Sequence, residues 1–565
     1  MSNLKAFRPA AAAAALLLGG GIWLVTGHAG TVSSVSPADA VLTAADARPK
    51  NGHPKLESSL ARLASLALAG EEAQALDYGH HRRLDIRGSS VRVVTEAASE
   101  PLASAALVSA RTAVLKTKIA SLGGRVETQW RHLLQHEIPL EALETLASDP
   151  LVKHIRPPRK PFKTVVYSEG VAKTGADAWR NLSAYRADGT GLCVLDAGFM
   201  GYAPLLGSEL PAKVTTRSFR ADRDLEADDH GTACAEIAYD MASQANFTLV
   251  NIDTDVEQHQ AVDWIARQDI DVISYSLGWF NGGAGDGTGP ICEDVETAAG
   301  ANILWVSAAG NGATDHWDGF FSDPDGDGWH NFSPQDEILD FTVPAYLPLG
   351  AFLNWKDFGA WNGYDYAGTD QDYDLYLYRW TGTAWQFVDS SAGHQTGTGA
   401  WPGEEVFGWY ATRDTVWGVG IYAYRRTKNV RLEIFTYNNS APVQYVVPGR
   451  SLVVPSDSPS AIAVGATDWS NDAYHSYSSQ GPTHGGLVKP DLTAPSGVST
   501  VTYGNRNFYG TSSSVPHVAG AAALLRGLTP FGPAQVLRIL EQRAVDFGDP
   551  GKDNIFGYGR LNLKK

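Results

Sequence analysis

The sequence predicts a mixed α/β protein in which a domain built on a parallel sheet follows a small α+β module and is interrupted by an all-β sandwich. Three observations carry this. The apolar runs 192–195, 272–273 and 303–306 each end at polar residues and lie beside helix-forming stretches, as strands covered on both faces of a parallel sheet do. Residues 90 to 156 alternate in the order strand, helix, strand, strand, helix, strand, which is a ferredoxin-like arrangement. From 312 to 448, aromatic and β-branched residues alternate between Asp, Asn and Gly turns, the pattern of an antiparallel sandwich.

Taken in order, residues 1–40 read as an export signal: Lys5 and Arg8 precede an apolar run from Pro9 to Val25, and Ala38-Asp39-Ala40 offers a small-x-small cleavage site. The alternative is a single membrane anchor; Gly19 to Gly21 interrupt the run and favour the signal. Residues 41–87 are Ala-, Ser- and charge-rich and read as a linker with some helix. In the module, 88–167, a strand over 90–95 and a helix over 102–119 come first. Gly123-Gly124 then breaks the pattern before strands at 125–130 and 133–138, a helix at 140–147 and a strand at 152–156. Pro157-Pro158 to Pro161 reads as an exposed, cleavable connector. The α/β domain spans 168–312 and 450–565, with the sandwich over 313–449 between its halves.

A chain of 565 residues implies two to four domains. Its formal charge of -17 argues against a nucleic-acid partner. The three cysteines, Cys193, Cys234 and Cys292, form neither a disulfide framework nor a zinc pattern.

Chemistry concentrates at strand and helix ends. Asp196 closes the run 192–195, Asn311 closes Ser307-Ala-Ala-Gly-Asn311, and His230 opens a helix after Asp228-Asp229. Ser512 lies in a Gly-Thr-Ser turn running into a small-residue helix, with Pro516 expected in its first turn, where a missing N–H costs nothing. Taken singly, each has an ordinary explanation as a cap or a turn. Together they supply the roles of acyl transfer. Ser512 is the nucleophile, His230 the proton carrier and Asp196 its orienting carboxylate, while the Asn311 amide and the Ser512 N–H are donors to an oxyanion.

On these residues the chain resembles the subtilisin-like serine proteases, whose catalytic order is Asp, His, Ser. The matching segments are 194–198, His230-Gly-Thr232, Tyr275-Ser-Leu-Gly278, Ala308-Ala-Gly-Asn311, 478–482 with 489–495, 510–520 and 558–562. The resemblance implies a secreted endopeptidase with Ser276, Leu277 and Gly278 pairing with the substrate backbone, beside a side-chain pocket floored by Ala308, Ala309 and Gly310. It implies that the module is an inhibitory propeptide, cut away by the enzyme itself, and that activity is highest at neutral to alkaline pH, where His230 is neutral. Protein or peptide substrates, a monomer and no membrane partner after signal removal complete that expectation. Three departures are visible: Ala197 where Ser or Thr is usual, Ser513-Ser514 where Met-Ala is usual, and Trp279 where Gly is frequent. The last is expected to narrow or roof the cleft.

No cofactor is required by this chemistry. Asp323, Asp325 and Asp327 match the first half of a calcium loop, but Pro334 stands where the closing Glu belongs, so an Asp/Gly turn competes with a structural calcium site. Two other functions fit the same sequence: a surface or matrix binding protein acting through the sandwich with a weak or dead core, and an esterase or peptide ligase using the same triad.

Overall fold

A computed structural model describes residues 53–82, 84–98, 105–159, 169–181, 187–397, 399–528 and 531–564. The export-signal segment 1–40 lies outside these residues, as does Pro161 at the end of the connector.

The N-terminal unit opens with α1 (Ser58–Leu68) and α2 (Glu72–His81), then β1 (Ile86–Arg87), β2 (Ser90–Ala97), α3 (Ala105–Ser121), β3 (Arg125–Trp130), β4 (Leu133–Pro139), α4 (Leu143–Ala147) and β5 (Val152–Arg156). Its antiparallel sheet runs β3-β4-β2, with β1 and β5 both paired to the far edge of β2. The part of 41–87 that is described differs from the expected linker. Leu60, Leu63 and Ala64 repeat at three- and four-residue spacing on α1, and that face is buried in one core with Val91 and Val93 of β2. The helix expected in this stretch is present, but it is packed into the core of the unit and is not part of a free connector.

The central sheet has seven parallel strands in the order β20 (Leu492–Ser496), β19 (Ala461–Asp468), β10 (Leu304–Ala308), β9 (Val272–Tyr275), β6 (Gly191–Asp196), β8 (Asn246–Asn251) and β7 (Thr215–Ser218). After α5 (Gly170–Thr174) and α6 (Ala176–Asn181) the chain contributes β6 (Gly191–Asp196), β7 (Thr215–Ser218), α7 (His230–Met241), β8 (Asn246–Asn251), α8 (Asp255–Ile265), β9 (Val272–Tyr275), α9 (Pro290–Gly300) and β10 (Leu304–Ala308). Every residue of β6, β9 and β10 is buried, because helices cover both faces. One face packs on α7 through Ala233, Ile237 and Met241, and the other on α8 and α9 through Val262, Ile265 and Val295.

The chain then leaves the sheet and builds two four-stranded antiparallel sheets. One is β11-β18-β13-β16 and the other β12-β17-β14-β15. The strands are β11 (His316–Phe320), β12 (Leu339–Val343), β13 (Gly350–Trp355), β14 (Asp372–Trp380), β15 (Trp385–Ser391), β16 (Gly403–Phe407), β17 (Thr415–Arg425) and β18 (Arg431–Tyr437). Residues from both sheets share one core, including Trp317, Phe341, Trp355, Leu375, Trp417 and Ile434, so most of the aromatic alternation serves packing.

The chain returns as β19 (Ala461–Asp468) and β20 (Leu492–Ser496), adds the hairpin β21 (Val498–Thr500) and β22 (Gly504–Phe508), and ends with α10 (Thr511–Arg526) and α11 (Pro533–Arg543). Helix α10 is buried over almost its whole length. Gly520 lets it lie against α7: a Cβ there would stand 2.3 Å from Met241 Cβ.

Candidate active site

Asp196, Ser276 and Asn311 lie at or just beyond the carboxyl ends of β6, β9 and β10, neighbours in the sheet, so three distant segments arrive on one edge. Helix α7 brings His230 to the same edge as its first residue. Its close approach depends on Gly231, where a Cβ would stand 2.5 Å from the Gly198 carbonyl and 2.8 Å from Asp196 Cβ.

His230 Nδ1 lies 2.8 Å from Asp196 Oδ1, with both side chains buried. A carboxylate only accepts, so Nδ1 carries the proton and the imidazole lone pair sits on Nε2, the tautomer a base requires. The same Oδ1 also accepts the Ala197 N–H at 2.7 Å, while Oδ2 is buried with no hydrogen-bond partner. Ala197 therefore matters: its methyl offers no hydroxyl to that second oxygen. The ring edge of His230 meets Phe508 at 5.8 Å.

Ser512 is the second residue of α10, inside the helix rather than before it, after Gly510 at φ +117°. Pro516 also falls deeper than the first turn expected for it. Lacking an N–H, it leaves the carbonyl four residues back, that of Ser512, without its helical partner. Two other elements fill the gap: Ser276 Oγ donates to Ser512 O at 3.0 Å and Cys234 Sγ at 3.7 Å. The proline thus couples the nucleophile's backbone to the end of β9 and to the histidine helix. Ser512 Oγ donates in turn to the Ser276 carbonyl at 3.1 Å. Cys234 is fully buried, and burial together with Asp196 raises its thiol well above the ordinary range, so it acts as a small hydrophobe.

Asn311 is oriented by Thr511. Its side-chain oxygen accepts the Thr511 N–H at 2.9 Å and Thr511 Oγ1–H at 2.8 Å, and Thr511 Oγ1 accepts the Gly310 N–H at 3.3 Å. With the oxygen anchored, the amide N–H₂ faces the opposite way. Sequence reasoning missed Thr511; a hydroxyl-bearing residue placed directly between Gly510 and Ser512 was the available signal. It also missed the cradle of the turn, where Gly510 N–H is shared by Tyr477 Oη at 2.8 Å and Ser496 Oγ at 2.9 Å. Ser513, in place of the usual Met, donates to the Gly510 carbonyl at 2.9 Å and to Ser496 Oγ at 3.2 Å.

β9 and β10 pair side by side up to Tyr275 and Ser307, so Ser276, Leu277 and Gly278 and Ala308, Ala309 and Gly310 continue from neighbouring strand ends, and Ser479 N–H holds the Gly310 carbonyl at 2.9 Å. Trp279 does not roof a cleft. It is 2% exposed, with Nε1 donating to Tyr275 Oη at 2.7 Å and Gln258 Oε1 at 3.2 Å, because the apolar pocket between α8 and β9 accepts the indole. Asp323, Asp325 and Asp327 gather with one oxygen each within 4.8 Å of the others, in a turn where Asp323 accepts N–H groups from Gly326, Asp327 and Gly328. Burial and the neighbouring Asp325 and Asp323 raise the Asp327 carboxyl.

The model of the subtilase family matches residues 187–331 and 408–559, together more than half of the chain. Subtilisin Savinase of Lederbergia lenta is 36% identical over 115 residues, covering 20% of this chain and 40% of that protein. Subtilisin E of Bacillus subtilis is 41% identical over 107 residues, or 19% and 26% of the two chains. An extracellular serine protease of Serratia marcescens is 44% identical over 63 residues, 11% of this chain and 6% of that one. The chain thus spans less than half the length of these curated relatives. Among solved structures, the Clostridium perfringens CspB protease aligns with a TM-score of 0.50 at 15% identity, over 70% of this chain and 95% of that chain, a likeness of fold alone.

Proposed function

This chain belongs to the subtilase family, and from that premise we propose that it is a secreted serine endopeptidase, autoprocessed from a proenzyme. The observation that carries the reading is the 2.8 Å contact between His230 Nδ1 and Asp196 on the same sheet edge as Ser512 and Asn311. Ser512 Oγ gives its proton to His230 Nε2 and bonds to the scissile carbonyl carbon. The oxyanion so formed takes hydrogen bonds from the Asn311 amide and the Ser512 N–H, and Asp196 stabilises the imidazolium. His230 then returns the proton to the leaving nitrogen as the C–N bond breaks. A water, deprotonated by His230, attacks the acyl-serine, and Ser512 is reprotonated as the acid leaves.

The N-terminal unit serves as the intramolecular inhibitor. Its sheet packs on the start of α8, where Arg92 pairs with Glu257 at 2.8 Å, Arg156 with Asp255 at 2.6 Å, and Trp130 stacks on His259 at 3.9 Å. Burial alone would raise the Asp255 carboxyl, but Arg156 and Arg159 beside it hold it below the ordinary carboxylate range. The unit also meets the inserted sheets: Arg82 pairs with Asp389 at 2.9 Å, Lys153 with Asp365, and Arg159 lies 4.0 Å over the Trp401 ring. A cavity of about 290 Å³ opens at this junction, and none of Asp196, His230 and Ser512 lines it. Among the described residues no helix is long and apolar enough to cross a membrane. The all-oxygen set of Asp323, Asp325 and Asp327 suits calcium as a structural ion of the insert.

Intact mass of the wild type and of Ser512→Ala, both expressed without residues 1–40, tests the reading. Loss of the segment from residue 41 to about residue 160 from the wild type alone supports it. Loss from both chains, or from neither, overturns autoprocessing.

A further inference from the structure

A peptide held with its scissile carbonyl against Asn311 and Ser512, and its backbone along 276–278, has one place for the side chain on the acyl side of the cut. That side chain (P1) leaves the carbon next to the scissile carbonyl. It must enter between segment 276–278 and segment 308–310, the residues just before Asn311. Both walls present glycines to this space, Gly278 and Gly310, and one side chain already touches both. A Cβ on Gly278 would stand 2.4 Å from Val453 Cγ2, and a Cβ on Gly310 would stand 2.9 Å from Val453 Cγ1 and 3.1 Å from Cγ2.

Val453 cannot easily give way. Its N–H donates to the Ala309 carbonyl at 3.0 Å, and the carbonyl of Val454 accepts the Trp279 N–H at 2.9 Å, so 453–454 is stitched to both walls. The side chain is 6% exposed and branched at Cβ, which leaves it few rotamers. Neither wall is free to retreat, since Trp279 is anchored in the core beneath one and Ala309 N–H is bonded to the Val464 carbonyl at 3.0 Å behind the other.

We propose that Val453 closes the floor of the P1 pocket, so that this protease cleaves after small residues (Gly, Ala or Ser) and rejects aromatic and long aliphatic P1 side chains. The inference rests on the endopeptidase reading above, and the experiment separates the two. The full chain, Val453→Gly and Val453→Ala are compared on peptide p-nitroanilides differing only in Ala or Phe at P1, with a fluorophosphonate probe reporting whether Ser512 reacts. Excluding a ring the size of Phe is worth at least about 100-fold in kcat/KM for the wild type. Opening the floor in Val453→Gly raises the Phe-to-Ala ratio by about 10-fold or more, with a smaller rise in Val453→Ala. The Ala variant keeps the test alive if the Gly variant does not fold. A Ser512 that labels, in an enzyme that cuts after Phe as readily as after Ala or cuts neither substrate, overturns the role of Val453. A ratio that does not move in either folded variant does the same. Absence of both labelling and cleavage sinks the endopeptidase reading, and this inference with it.

Discussion

Replacing Thr511 with Val tests whether the oxyanion donor is held by a single side chain. Thr511 is fully buried and Val has nearly its shape, so the change removes a hydroxyl without opening a cavity. Two contacts go with it: the 2.8 Å bond to Asn311 Oδ1 and the 3.3 Å acceptance of Gly310 N–H. The Thr511 N–H still reaches Asn311, so the amide keeps one anchor of two and gains rotational freedom. A hydrogen bond of this kind is worth about 1 kcal/mol net, which sets the expected loss at about 5-fold in kcat with KM little changed. Removing the Asn311 amide itself, by Asn311→Leu, removes a donor whose deletion costs about 10²–10³ in kcat in subtilisin, a value known for that enzyme. Kinetics of both single variants and the double variant on one peptide substrate complete a cycle. In the Asn311→Leu background, Thr511→Val is expected to cost less than about 2-fold, since there is no amide left to orient. An equal loss in both backgrounds, or a change confined to KM, would refute the claim that Thr511 acts through Asn311.

Two further outcomes follow from burial. In the N-terminal unit, burial lowers His132 to about 3, His136 to about 4, and His154 as well. The unfolded chain takes these protons near pH 6.5 while the folded unit resists them, so stability present above pH 6.5 is withdrawn as pH falls toward 4. His136 alone contributes up to about 3 kcal/mol over that window. Limited proteolysis at pH 7 and pH 4.5 should show the unit becoming labile in acid and His136→Gln flattening the change; equal resistance at both pH values would contradict this. The three thiols are all free and buried, and burial raises each of them, so a thiol reagent should titrate none in the native protein and three in denaturant. Rapid native labelling of Cys234 would contradict its burial.

Much of this protein was legible from its residues because the informative features are local. A run such as Leu192-Cys-Val-Leu195 is apolar at every position only where both faces are covered, and this marks a parallel strand before any partner is known. Asp196, His230, Asn311 and Ser512 could be read together because each stands at an element end marked by its own neighbours. Where those neighbours point depends on segments hundreds of residues away, and there the sequence was silent. The indole of Trp279 turned inward because Tyr275 and Gln258 offered it acceptors in a pocket between α8 and β9. Pro516 became a helix-interior proline only because Ser276 and Cys234 satisfy the carbonyl it leaves open. Leu60 and Leu63 found a sheet to cover where composition suggested a connector. Val453, an unremarked aliphatic in the chain, stands between two glycine walls that only the folded sheet edge brings so close that a Cβ added to either glycine would fall within 3 Å of one of its methyl groups. Element type and end chemistry are short-range properties of the chain, whereas burial, acceptor supply and pocket shape are set by packing, which no local window contains.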